Sequence, residues 1–170
     1  MKIHIIGGSG TGKSFIADKI SSLYHIPHFD LDDIFWDNTA AAYNTKMPVE
    51  RRTVLLNEIL ATDAWVIEGV FCDWLRESFS AADRIFVLKA PQLLCDLRII
   101  RRFIKRKLGL QKGKKETLRS LYDLLVWTNR YQKRRIPEIL AFLGEYGDKV
   151  MLVKNSNEIL KYIGGSSRCK

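Results

Sequence analysis

Apolar and polar positions along the 170 residues change period in blocks, from strand-like runs to helical spacing and back. Lys2 to Ile6 is a short β-branched run that reads as a buried strand. From Lys13 onward Phe15, Ile16, Ile20 and Leu23 fall at helical spacing. Ile26 to Phe29 is a second strand, ending in Asp30-Leu31-Asp32-Asp33. Ile34, Phe35 and Trp36 then begin a helical turn with Asp33 or Asp32 as N-cap. Residues 37 to 48 read as irregular, and Pro48 opens a helix near 49 to 61 with Val49, Leu55, Leu56, Ile59 and Leu60 as its apolar set. Trp65-Val66-Ile67 is a buried strand ending at Glu68-Gly69, with a short helix around 73 to 79. Arg84 to Leu88 is the next strand, closed by Lys89-Ala90-Pro91. A long helix from Gln92 to about Leu108 carries Leu93, Leu94, Leu97, Ile100 and Ile104 on one side and its arginines on another. A glycine- and lysine-rich break at 109 to 113 leads to a helical stretch from Leu118 to Leu143, kinked near Pro137. Lys149 to Val153 is the last strand and Asn157 to Ile163 the closing helix, with a frayed end from Gly164.

Strands alternating with helices predict an α/β domain spanning 1–170, with a central parallel five-stranded sheet and helices on both faces. Ligands of such sheets lie at the carboxyl ends of the strands. Gly7 to Ser14, Asp30 to Asp33, Glu68-Gly69 and the Lys89-Ala90-Pro91 turn all fall on that edge.

One strand end carries chemistry of its own. Residues 7 to 14 read Gly-Gly-Ser-Gly-Thr-Gly-Lys-Ser, a complete G-x-x-x-x-G-K-[ST] loop between a strand and a helix. Gly7, Gly8, Gly10 and Gly12, with Ser9 and Thr11 between them, let successive N–H groups turn inward toward an anion. The helix start adds unpaired N–H groups and a positive dipole end. Lys13 reaches the β- and γ-phosphates in such loops, and the Ser14 hydroxyl ligates Mg²⁺. The expectation is a nucleoside triphosphate site, with ATP and Mg²⁺ as cofactors. Glu68 and Asp30 are the candidate carboxylates for the metal beside Ser14. Asp32, further out, is placed to accept a hydrogen bond from a substrate hydroxyl; the competing reading is helix capping.

Charge narrows the picture further. The chain carries a net +9, yet residues 98 to 135 hold half of its 28 basic residues against only Glu116 and Asp123. That segment is +12 and the remainder is −3. A basic element on a mildly acidic body concentrates anions, whether phosphates of a small substrate or of nucleic acid. Arg98, Arg102 and Arg106 recur every fourth residue without acids to pair them, which favours phosphate contact for Arg98 and Arg102. Lys112 to Lys115 reads as a loop able to close over nucleotide, within a basic lid region at 98–135. Residues 37–62 are a candidate acceptor-binding insert. Trp36, Trp74 and Trp127 read as packing residues. Cys72, Cys95 and Cys169 are scattered and form no C-x-x-C pair, and His4, His25 and His28 form no metal set, which fits a reducing cytoplasm. The amino-terminal apolar run stops at glycine after four residues, and no apolar stretch approaches the roughly 18 residues of a membrane span.

The stretches Ile-Ile-Gly-Gly-Ser-Gly-Thr-Gly-Lys-Ser, His-Phe-Asp-Leu-Asp-Asp-Ile-Phe-Trp and Trp-Val-Ile-Glu-Gly resemble the adenylate kinase/shikimate kinase group of P-loop kinases. With Cys-Asp-Leu-Arg-Ile-Ile-Arg-Arg-Phe-Ile-Lys-Arg and the Trp127 to Arg135 segment, the pattern is most similar to the bacterial topology modulation proteins, an adenylate kinase-related family. The resemblance implies a three-layer P-loop NTPase fold with a basic helical lid, and ATP-dependent phosphoryl transfer to a small-molecule acceptor, a nucleotide or related metabolite. It implies paired aspartates at Asp30 and Asp32, serving metal and acceptor, and lid arginines at Arg98 and Arg102. Glu68 stands where related kinases often carry Asp, and Glu68-Gly69-Val70-Phe71-Cys72 departs from the nucleotide-monophosphate motif. A rival class is a P-loop regulator that contacts nucleic acid with little kinase activity; no aromatic–basic interleaving supports it. A structural domain that merely retains nucleotide leaves the acidic cluster without a task.

Overall fold

The computed structural model describes residues 1–37, 45–70, 73–111 and 117–165. Strands β1 (Lys2–Gly7), β2 (His28–Asp30), β3 (Trp65–Gly69), β4 (Arg84–Leu88) and β5 (Val150–Val153) form one sheet in the order β2-β3-β1-β4-β5. Every pair is parallel. β1 and β3 are almost continuously apolar because both of their faces are covered, which removes the alternation seen in half-exposed strands. On one face α1 (Lys13–Tyr24) and α8 (Ser156–Gly165) bury Ile16, Ile20 and Ile159 against Ile3, Ile5, Val66 and Phe86. On the other face Ile6, Ile67, Ile85 and Val87 meet α2 (Leu31–Phe35), α3 (Val49–Leu60), α4 (Arg76–Ala81) and α7 (Ile136–Leu143) through residues such as Leu31, Leu56, Phe79 and Ile139. His4 is buried there against Trp65 and Phe79, and desolvation lowers its pKa to about 3. α5 (Gln92–Lys107) leaves the carboxyl end of β4, and α6 (Leu118–Arg130) packs back along it.

Four details correct or refine the sequence expectations. The N-cap of α2 is Asp30, not Asp32 or Asp33: with extended backbone, its side chain accepts the Asp32 N–H at 2.9 Å. The stretch from 118 to 143 is helical throughout, as expected, with its irregularity placed just before Pro137. α6 widens into a π-turn at Tyr131–Arg135, where the Ile136 N–H bonds to the Tyr131 carbonyl, and α7 follows. Pro137, which lacks the N–H a regular ladder would need, lies immediately beyond it. The segment read as irregular is pinned at its ends, because Trp36 and Lys46 form an antiparallel bridge and the Met47 N–H bonds to the Phe35 carbonyl.

The fourth detail concerns α5, whose two sides the sequence separated without assigning either to the core. The Leu93 to Ile104 side is exposed, with Leu93 at 72%, Leu97 at 56% and Ile104 at 49%. Cys95, Ile99 and Phe103 are the buried residues of this helix. Among the described residues no helix is long and apolar enough to cross a membrane. Residues 38–44 near the start of the expected insert and 112–116 in the middle of the expected lid, with the loop read at Lys112 to Lys115, lie outside the described residues, as do 71–72 and 166–170.

Candidate active site

The sheet edge assembles from the loop outward. β1 delivers the chain at Gly7 and α1 starts at Lys13, so residues 8–12 turn at the strand's carboxyl end. Gly10 (φ 74°) and Gly12 (φ 98°) lie in the left-handed region. A Cβ on Gly10 would also sit 2.6 Å from the Cys95 carbonyl oxygen, so the backbone of α5 presses directly on the loop. Thr11 Oγ1 donates to the Gly8 carbonyl at 2.8 Å. Arg98 Nη1 donates to the Gly10 and Thr11 carbonyls at 3.1 and 2.9 Å. Arg98 therefore ties the Gly10 and Thr11 carbonyls of the loop to α5. Arg102 Nη2 lies 3.4 Å from Ser9 Oγ. Ser9, Gly10, Lys13, Ser14, Arg98 and Arg102 line a depression of about 200 Å³; Arg106, a turn further on, does not.

Glu68, one residue before the end of β3, lies beside this loop and is fully buried. Ser14 Oγ donates to its Oε1 at 2.5 Å, and Lys13 Nζ lies 3.4 Å from Oε2. Asp30 is its register partner across β2–β3, and His28 Nε2 stands 4.0 Å away while Nδ1 meets Asp18 at 2.8 Å. Burial pushes the Glu68 carboxyl above the usual range; Lys13 pulls it back, Asp30 raises it, and the Ser14 hydrogen bond and His28 lower it. No group of three or more His, Cys, Asp or Glu poised for a metal ion is found among the described residues. The donors gathered here are a hydroxyl and carboxylates, the oxygen set a hard cation takes. Glu68 Oε2 is buried without a hydrogen-bond partner among the described residues, so the set fits Mg²⁺.

Leu31 closes over the β3 end, its side chain filling the space where a Gly69 Cβ would sit, 2.8 Å away. This brings α2 to the edge. Because Asp30 performs the capping, the Asp32 carboxylate is not used as a cap. Asp32 keeps contact with solvent, yet its carboxyl titrates above the ordinary value. Desolvation is the main cause; Asp30 and Asp33 add to it, and Lys13 and a hydrogen bond from Trp36 oppose it.

Residues the sequence did not single out complete the edge. Arg52 of α3 lies over the rings of Phe35 and Trp74, at 4.9 and 5.3 Å from their centroids. A cavity of about 340 Å³ separates the β3 exit from the π-turn, lined by Val70, Trp127, Arg130, Tyr131 and Arg134. Tyr131 donates its hydroxyl to the Val70 carbonyl at 2.9 Å, and its ring occupies the space beside Gly8. Asp73, Arg135 and Glu138 line the cavity too, the arginine being held by both carboxylates. The i,i+4 spacing of Arg130 and Arg134 was visible in the sequence but was absorbed in the wider charge run.

No family model matches the chain. Among curated proteins, uncharacterized protein YqaC of Bacillus subtilis (strain 168) is 30% identical over 100 residues, which is 58% of this chain and 53% of that protein. Adenylate kinases of Clostridium botulinum (strain Eklund 17B / Type B) and Clostridium perfringens (strain SM101 / Type A) are 37% identical over 70 residues, 41% of this chain and 32% of theirs. The match thus spans about half the length of the first relative and about a third of the adenylate kinases. Among solved structures, shikimate kinase from Acinetobacter baumannii in complex with shikimate superposes with a TM-score of 0.58 at 22% identity. It covers 99% of this chain and 95% of that one. A gluconokinase from Sinorhizobium meliloti 1021 gives 0.54 at 14% identity, covering 94% and 87%. The chain shares its fold with these two solved kinases. That architecture explains why the loop, Glu68 and α2 meet on one edge although they are far apart in sequence.

Proposed function

We propose that the chain is an ATP- and Mg²⁺-dependent kinase of a small anionic acceptor, related to the adenylate kinase-like topology modulation proteins and working in the cytoplasm. The observation that carries this reading is the grouping of Lys13, Ser14 and Glu68 in one buried contact at the phosphate loop. A glycine-rich turn without a ligand would have no reason to bury a carboxylate against a lysine at its mouth. Gly7 to Ser14 cradle the triphosphate, and Lys13 supplies charge to its β- and γ-phosphates. Ser14, Glu68 and Asp30 would hold Mg²⁺, which neutralises phosphate charge in transfer reactions of this class. Arg98 ties the loop carbonyls to α5 and Arg102 adds charge at the cradle. An acceptor hydroxyl gives its proton toward Asp32 as its oxygen bonds to the γ-phosphorus. The bond from that phosphorus to the bridging oxygen breaks, and ADP leaves.

The cavity beside Val70 is the acceptor seat in this reading. Arg130 and Arg134 meet an anionic group there, and Trp127 and Tyr131 give it an apolar wall. Residues 37–62 frame the acceptor side, and 98–135 close over the nucleotide. ATP consumption across a panel of phosphorylated and carboxylated alcohols tests the proposal. The expected result is stimulation by an anionic acceptor, with the KM for that acceptor raised roughly tenfold or more in Arg130→Ala and MgATP affinity unchanged. If no acceptor stimulates turnover while DNA binds tightly and with steep salt dependence, the protein is a nucleic-acid-contacting regulator instead.

A further inference from the structure

We infer that Tyr131 is a positioning residue that stands as a partition between the phosphate loop and the acceptor cavity, and that it keeps water from the phosphorus being transferred. The inference rests on the kinase reading above, in which the cavity beside Val70 seats the acceptor. That cavity and the depression at the phosphate loop share no lining residue. Tyr131 stands between them. Its ring lines the cavity, while on the loop side a Cβ on Gly8 would meet the same ring at 3.0 Å. Its hydroxyl donates to the carbonyl of Val70, the residue after β3, at 2.9 Å. One buried side chain therefore touches both the loop and the strand exit on the acceptor side.

The local backbone puts it there. Successive side chains of a regular α-helix point about 100° apart, and the wider π-turn brings neighbours closer in direction. Tyr131 and Gln132, the first two residues of that turn, are both buried. Tyr131 packs beside Gly8, and Gln132 Nε2 lies 3.2 Å from Sγ of Cys95, whose carbonyl backs Gly10. The turn thus grips the loop at two points. Trp127, one helical turn earlier, stacks on Tyr131 with 5.0 Å between ring centroids, which holds the ring's orientation. A ring held in this way excludes solvent from the gap between Gly8 and Val70. Without it, a water oxygen bonds to the γ-phosphorus in place of the acceptor hydroxyl. The bond from that phosphorus to the bridging oxygen breaks, ADP and inorganic phosphate leave, and Asp32 takes the water's proton. Transfer becomes hydrolysis.

The test is the ratio of inorganic phosphate released to acceptor phosphorylated, measured at saturating MgATP with the acceptor that stimulates wild type. In Tyr131→Ala the ratio should rise roughly tenfold or more, because transfer falls while hydrolysis does not. Loss of folding lowers both activities together and cannot raise that ratio. Tyr131→Phe keeps the ring beside Gly8 and loses only the tie to Val70. Its acceptor KM should rise roughly threefold or more with MgATP affinity unchanged. A folded alanine variant with the wild-type ratio overturns the inference. So does a phenylalanine variant with the wild-type acceptor KM, which decides the matter if the alanine variant does not fold. Wild-type protein that binds MgATP yet phosphorylates no acceptor overturns the kinase reading and this inference with it; variants that keep the ratio and KM of an active wild type overturn this inference alone.

Discussion

On the inner side of α5, Cys95, Ile99 and Phe103 are buried, and Arg98 and Arg102 between them reach the phosphate loop. On the outer side Leu93, Leu97, Ile100 and Ile104 repeat at the same helical spacing and stay exposed. Hydrophobicity alone would turn the helix the other way. The loop decides the matter: its carbonyls need donors, its Gly10 accepts a backbone and nothing larger, and only the arginine-bearing side meets both demands. The helix leaves its larger apolar stripe exposed while its arginine-bearing side contacts the glycine loop.

Adjacent residues give the sharpest way to break that comparison. Ile99 is 1% exposed and Ile100 is 36% exposed. Truncating a buried isoleucine costs about 3 kcal/mol, so urea denaturation of Ile99→Ala should show a loss of that order. Ile100→Ala should lose no more than about 0.5 kcal/mol. Equal losses would mean that α5 is turned differently from this description.

A second pair separates the arginines. Arg98→Ala removes donors from the Gly10 and Thr11 carbonyls and should weaken MgATP binding roughly tenfold, about 1.4 kcal/mol. Arg101→Ala, on the exposed side, should leave the affinity unchanged in the same calorimetric titration. The smallest effect belongs to the outer stripe. Leu97→Ser with Ile104→Ser should shift stability by about 0.5 kcal/mol or less while lowering the binding of a hydrophobic dye. A large loss of stability there would show that the stripe is covered in solution.

These contrasts also mark where the sequence was legible. Strand, glycine loop and α1 could be read directly because a phosphate loop is local: its torsions, donors and lysine lie within eight residues. The strand order and the meeting of Glu68 with Lys13 follow from parallel α/β topology, which the alternation of elements announces. The α2 cap was misassigned because any of three neighbouring aspartates could serve, and only the extended backbone at Asp30 selects it. Pro137 signalled an interruption, yet the π-turn before it depends on Tyr131 packing beside Gly8, a contact 123 positions away in sequence. Arg52 escaped notice because Phe35 and Trp74 become its neighbours only on folding. Which side of α5 is inward was likewise a tertiary matter.

In the proposed reaction Asp32 faces the acceptor while the loop, Lys13 and Glu68 hold MgATP. Asp32→Asn keeps the shape and removes the charge, and Asp30 continues to cap α2. Acceptor-dependent ATP consumption and MgATP affinity should therefore be measured together for this variant, across pH. Turnover should be cut by roughly a hundredfold with MgATP binding near normal. Because the Asp32 carboxyl lies above its ordinary value, wild-type turnover should fall on acidification at a pH above that of a free aspartate, as the base takes up a proton. Turnover of Asp32→Asn equal to wild type, with the same acid limb, would contradict it.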